Sequence, residues 1–306
     1  MSLIITTMEQ GFIYGILALG VYITYKILDF PDLTVDGSFP LGGAVGAALI
    51  TKGMSPFLAL LLAFLAGALA GMLTGLIHVK GKVRDLLAGI IMMTALWTVN
   101  LRIAGTANVP LFSQKTIFKN DLIDRMFPGT FRNYATLALI FVIAVGAKLL
   151  LDLYLGTKSG FLLRAAGDNN KLVTSLAKDA GNVKIIGLAI ANGLVALAGC
   201  VFCQEERVFE ISMGTGAMVI GLASVIIGTS LFRKVTILRV TSSVVRKLSF
   251  LKTTTTVFFG AVIYKLCVGI AIKNFEPRDM KLITAVLFLV ILLISTERKR
   301  KVKGNA

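Results

Sequence analysis

Three carboxylates, two hydroxyls and two prolines crowd into "DFPDLTVDGSFPLGG", residues 29–43, between two apolar runs. Asp29, Asp32 and Asp36 cannot face hydrocarbon, and Pro31 and Pro40 each argue against a continuous helix through the stretch. Thr34, Asp36 and Ser38 are all suited to cap a helix starting near Phe39. Irregular backbone at membrane depth survives only where it is buried in protein or lines a watery cavity. Half-helix ends turned into such a cavity are a recurrent way to build a solute path. The competing reading is an ordinary acidic cytoplasmic loop. The chemistry these residues offer is passage of a polar solute rather than bond making.

Other polar side chains at membrane depth are candidates on the same ground. Glu9 and Gln10 fall at the start of the first apolar run, Asn100 and Arg102 late in the fourth, and Asn192 within the sixth. For Glu9 and Asn192, lining of a path competes with hydrogen bonding between helices. Enzyme signatures are missing: there is no G-x-x-x-x-G-K-[ST], no H-E-x-x-H and no G-x-S-x-G. The single histidine, His78, closes an apolar run just before Lys80 and Lys82 and reads as an interfacial residue. Cys200 and Cys203 form C-x-x-C, but no further Cys or His lies nearby to complete a metal set, so they read as small packed hydrophobes.

The elements that must position these residues follow from composition. The 306 residues are 56% hydrophobic and 16% charged, with a mean hydropathy of +0.84. About nine apolar segments follow one another, near 8–27, 38–51, 56–78, 85–105, 135–155, 184–204, 214–232, 254–273 and 280–296. They do not alternate as barrel strands would. The expectation is an all-α polytopic membrane protein of about 8–10 transmembrane helices with a broken or re-entrant second helix. "FLAGALAGMLTGLIH" (64–78) and "IANGLVALAGC" (190–200) carry small residues three or four apart, which lets helices approach closely in lipid.

The net charge of +16 is spread over short segments beside the apolar runs, not over an aromatic-interleaved nucleic-acid surface. The basic stretches are 78–84, 157–171, 231–248 and the tail 297–306. The positive-inside rule places them all on the cytoplasmic face. The segments 106–134, 204–210 and 274–279 then lie outside, and the N-terminus also lies outside if 38–51 spans. "FSQKTIFKNDLIDRMFPGTF" (112–131) has the mixed polarity of a short interfacial helix. No cleavable signal pattern and no disulfide framework is evident.

At this point the motifs resemble a known family. "DFPDLTVDGSFPLGGAVGA" is similar to the start of the second helix in permease subunits of ABC importers of the branched-chain-amino-acid and ribose class. The wording is nearest to the tryptophan/tyrosine-type subgroup, and Asp36 stands as an inserted residue. "LRAAGDNNKLVTSLAKDAGNVKIIGLAIANGLVALAG" (163–199) resembles that family's coupling loop and following helix. "GTGAMVIGLASVIIGTSLF" (214–232) resembles its late Gly-rich helix. One departure is 233–256, which is longer and more basic than the pattern.

The resemblance implies one transmembrane permease domain over 1–306, with a cytoplasmic coupling loop at 157–183 and a basic cytoplasmic tail at 297–306. It implies that Arg164, Gly167, Asp168, Asn169 and Lys184 couple to an ATPase, with Asp168 or Asn169 capping a short helix and Lys184 opening the next one. Asp32, Thr34, Asp36 and Ser38, with Glu9 and Asn192, are the expected translocation path. Two ATPase subunits, an extracytoplasmic binding protein and a second permease copy or homologue are the expected partners, in a bacterial cell membrane. ATP and Mg would sit on the ATPase, with no cofactor on this chain. An ion-coupled secondary transporter using Glu9 or Asp36, or a scaffold without flux, are the alternatives.

Overall fold

The computed structural model describes residues 2–120, 131–168, 179–238, 252–274 and 280–303. Helix α1 (Ser2–Val21) continues as a π-helical turn (Tyr22–Ile27). Then come α2 (Val35–Thr51), α3 (Pro56–Val79), α4 (Asp85–Ala104), α5 (Phe131–Leu155), α6 (Lys158–Asp168) and α7 (Ala180–Glu206). A 3-10 turn (Ile211–Gly214) precedes α8 (Ala217–Leu238), and α9 (Lys252–Asn274) and α10 (Met280–Lys303) follow. Two short strands, β1 (Asn108–Pro110) and β2 (Val208–Glu210), pair antiparallel with Val109 opposite Phe209. That ladder joins two segments which the charge rule had put on one side of the membrane.

Among the described residues, seven helices are long and apolar enough to cross a membrane, and Val35–Thr51 and Leu282–Leu293 are shorter apolar helices. Helices α1 and α7 form the centre. α7 packs on α3, α2 and α1, while α1 also packs on α9, α5 and α8. Small residues decide this arrangement. In α3, Ala59, Ala63, Gly67, Ala70, Gly71 and Thr74 are buried, whereas Leu58, Leu61, Leu65, Leu69 and Leu73 are exposed. One face of the helix is thus flat enough for close packing and the other is greasy enough for lipid.

Two sequence expectations are corrected. Pro40 does not interrupt α2, which runs through it. The proline lies near the N-terminal end, so its missing N–H frees only the Asp36 carbonyl, and its ring packs against Gly214. The irregular backbone lies instead at 28–34, ahead of the second helix. The described part of 112–131 is not an interfacial helix. Residues 112–120 form turns that bury Ile117 and Phe118 in the core, and the Ile117 N–H donates to the Gln204 carboxamide oxygen at 3.2 Å.

Candidate functional site

The break begins where α1 widens. The Leu28 N–H reaches the Ile23 carbonyl at 3.0 Å and the Phe30 N–H reaches the Thr24 carbonyl at 2.9 Å, longer loops than an α-helix closes. Asp29 then adopts a left-handed backbone (φ 52°), and Pro31 follows. The chain re-enters a helix through a local turn in which the Thr34 N–H donates to an Asp32 carboxylate oxygen at 2.9 Å.

From this turn a polar seam runs across three helices. The Asn192 amide on α7 donates to the other Asp32 oxygen at 2.7 Å and to the Leu188 carbonyl at 3.1 Å. Its own carbonyl accepts from the Ser38 hydroxyl at 2.7 Å. Thr34 and Thr74 share a hydroxyl hydrogen bond at 3.0 Å, which ties the break to α3. Asp32, Thr34, Ser38, Thr74 and Asn192 are all fully buried. Asn100 on α4 donates to the Gly37 carbonyl at 3.0 Å, while its buried Oδ1 has no hydrogen-bond partner among the described residues.

Asp36 performs a different task. Its carboxylate accepts from the backbone N–H of Gly216 at 3.2 Å and of Met218 at 2.7 Å. It therefore caps α8 from another helix, where the N-terminal dipole favours negative charge. This corrects the expected capping of α2. Thr34 occupies that N-cap position without a side-chain cap bond, and Ser38 is already committed to Asn192.

The structure thus brings Asp32, Thr34, Ser38 and Asn192 into one hydrogen-bonded group, with half-buried Asp36 beside them. Glu9 is not part of it. That residue lies on α1 about 27 Å of helix before Ile27, near the end of the bundle that carries the β-ladder. The sequence reading did not single out Thr74 as a site residue. The only available signal was one hydroxyl in a stripe of Gly and Ala.

At the opposite end, one of the residues assigned to coupling, Gly167, lies against the backbone just before the break. Arg164 and Gly167 are half-buried on α6. Gly167 lies so close to α1 that a Cβ there would come within 1.6 Å of the Ile27 carbonyl oxygen. Asp168 is the last residue of α6, and Asn169, with the short helix it was expected to cap, lies outside the described residues. Lys184 does not open the next helix. α7 starts at Ala180, because Asp179 caps it by accepting from the Gly181 N–H at 2.8 Å. His78 holds its turn through Nδ1 and the Val83 carbonyl at 2.9 Å and meets the Phe30 ring edge-on. Cys200 and Cys203 are free thiols, both fully buried.

A family model described as "Branched-chain amino acid transport system / permease component" matches residues 3–296. The chain is 42% identical to a tyrosine transport system permease protein of Clostridioides difficile (strain R20291), over all of this chain and 96% of that protein. It is 31% identical to an uncharacterized protein of Rickettsia prowazekii (strain Madrid E), over 98% of this chain and 99% of that one. A ribose import permease protein of Bacillus subtilis (strain 168) is 31% identical over 74% of this chain and 67% of its own length. No solved structure matches.

Proposed function

This chain belongs to the permease-component family of branched-chain amino acid transport systems, and from that premise we propose how it works and what it carries. It is a multi-pass membrane permease of an ABC importer. Its solute is an aromatic amino acid of the tyrosine type. The observation that carries this reading is the 42% identity, along the whole chain, to a permease named for tyrosine transport. The family speaks against an ion-coupled secondary transporter.

Two copies of the chain, or this chain and a homologue, surround a central path. Two ATPase subunits dock at the end that holds the 79–84 turn, α6 and the start of α7, with ATP and Mg bound on them. That end carries Lys80, Lys82, Arg84, Lys158, Arg164 and Lys184 and faces the cytoplasm, together with the basic C-terminus. A binding protein delivers solute at the β-ladder end.

ATPase closure moves the 157–183 segment. Because Gly167 sits against the Ile27 carbonyl, that motion is delivered to the backbone just before the break. There the seam of Asp32, Asn192, Ser38, Thr34 and Thr74 keys α2 to α3 and α7, and the Asp36 cap keys α2 to α8. Re-orienting α2 about these links opens one side of the path and closes the other. The nucleotide acts only through its different affinity for the two conformations.

The test is purification of the tagged chain from its native membrane in mild detergent, with mass spectrometry of what accompanies it. The expected companions are an ATPase and a lipid-anchored or periplasmic binding protein that binds tyrosine. Recovery of the chain alone, under conditions that hold other ABC complexes together, would overturn the reading.

A further inference from the structure

One buried ion pair has no part in the polar seam or in the Asp36 cap. Lys148 and Asp152 lie one turn apart on α5, each 8% exposed, with the ammonium 2.8 Å from Asp152 Oδ2. The other carboxylate oxygen accepts from the Thr254 hydroxyl on α9 at 2.6 Å, and Thr254 is itself buried. Charges inside an apolar span such as Tyr134–Leu155 are costly and turn towards the bundle. A buried pair adds little net stability over apolar side chains of the same size, so it is better explained by the register it imposes. Here the register is that of two helices with little else between them. α5 packs chiefly on α1 and only lightly on α9.

The two ends of this link give it a task. Only Gly156 and Thr157 separate α5 from α6. The junction is tied three times: the Gly156 N–H donates to the Asp152 carbonyl at 3.1 Å, the Thr157 hydroxyl donates to the Tyr154 carbonyl at 2.7 Å, and the Tyr154 and Ser159 hydroxyls share a hydrogen bond at 3.0 Å. A Cβ on Gly160 would come within 2.5 Å of the Tyr154 carbonyl oxygen. α6 therefore cannot tilt without carrying the end of α5 with it. Beyond the link, α9 is locked to α8. Cβ atoms on Gly228 and Gly260 would meet the Thr256 and Ser224 carbonyl oxygens at 2.3 Å and 2.2 Å.

We propose that Asp152, held in place by Lys148, is a positioning residue that passes the movement of α6 through Thr254 into the α8–α9 pair, while Gly167 at the other end of α6 passes it to the break. One short helix then drives two groups of helices at once: α2, α3 and α7 through Ile27, and α8 and α9 through Asp152. The inference rests on the importer reading. It adds to that reading a second contact by which the ATPase-facing segment reaches the bundle, made by side chains where the first is made by backbone.

The experiment reads solute imported per ATP hydrolysed by the native complex with its binding protein in proteoliposomes, beside the unfolding temperature of each variant in detergent. Thr254→Val removes the hydroxyl and keeps the shape. Solute imported per ATP is then expected to fall about 2- to 30-fold, the range that changes along such a route produce. Thr254→Ser keeps the donor and has to keep the ratio. Lys148→Met combined with Asp152→Leu replaces the pair by apolar side chains and should hold the unfolding temperature. Its ratio should nevertheless be low, which a purely structural role does not predict. A wild-type ratio in Thr254→Val or in the double variant overturns the proposal, and so does a ratio lost equally in Thr254→Ser. Should Thr254→Val fail to assemble, the double variant decides alone. In each of these failures a wild-type complex that couples ATP to uptake leaves the importer reading standing. A wild-type complex that imports no amino acid with any binding protein overturns both.

Discussion

Asn192 is the residue on which the seam depends. Its amide group joins Asp32 and Ser38, neighbours of each other in sequence but 160 and 154 residues away from it. Asn192→Leu would fill the space with an apolar side chain, leave one oxygen of the buried Asp32 carboxylate without its donor while the Thr34 N–H still holds the other, and take the acceptor from the buried Ser38 hydroxyl. The expected loss is about 1–3 kcal/mol of stability per orphaned group, with the carboxylate at the upper end. Thermal unfolding in detergent measures this. Adding Ser38→Ala to Asn192→Leu should then cost little more, because the hydroxyl has already lost its acceptor. Fully additive losses would mean that Ser38 has another partner. Sequence reasoning reached Asp32, Ser38 and Asn192 individually, since a polar side chain in an apolar run is conspicuous. It did not reach their pairing. The hydrogen bonds depend on α2 and α7 approaching until a Cβ on Gly42 would meet the Ala196 carbonyl oxygen at 1.8 Å, and that distance is a property of the packed pair.

Among the elements, most boundaries were legible. The predicted 56–78 and 85–105 became Pro56–Val79 and Asp85–Ala104. Proline or a charged residue bounds these apolar runs at each start, so composition and local signals agree. The second helix was harder, because its Pro, Asp, Ser and Thr suit either a cap or a break. Tertiary contacts decide between these: Pro40 is absorbed beside Gly214, and Asp36 turns to α8. An Asp36 cap on α8 predicts an effect beyond α2. Asp36→Ala should destabilise the start of α8 by about 1 kcal/mol. Asp36→Asn, which keeps a side-chain acceptor, should retain much of it. Amide hydrogen exchange at Met218 and Val219 is the measurement. Unaltered protection there in Asp36→Ala would show that α8 holds its first turn without the carboxylate.

For the whole molecule, sequence charge and three-dimensional proximity describe the same two ends. The ladder Asn108–Pro110 with Val208–Glu210 joins the segments expected outside, and α6, the 79–84 turn and the break meet at the end expected inside. What composition could not reveal is the contact between the segment proposed to couple and the break, because it runs through backbone. Gly167 touches the Ile27 carbonyl, Ile27 ends the π-helical turn, and the break starts with the next residue. A single methyl group is enough to test this. Gly167→Ala pushes α6 off Ile27, so the ATPase can still dock and turn over while its motion reaches α1 poorly. Solute imported per ATP should fall by about 5- to 150-fold, the span of a coupling free energy of roughly 1–3 kcal/mol. Gly146→Ala is the matched control, since a Cβ at that helical glycine meets nothing within 4 Å, and it should leave the ratio unchanged. Uptake and ATP hydrolysis measured together in proteoliposomes decide the matter. A wild-type ratio in Gly167→Ala would take this contact out of the route, and force would then have to pass from the 157–183 segment into α7 through Lys184 and its neighbours.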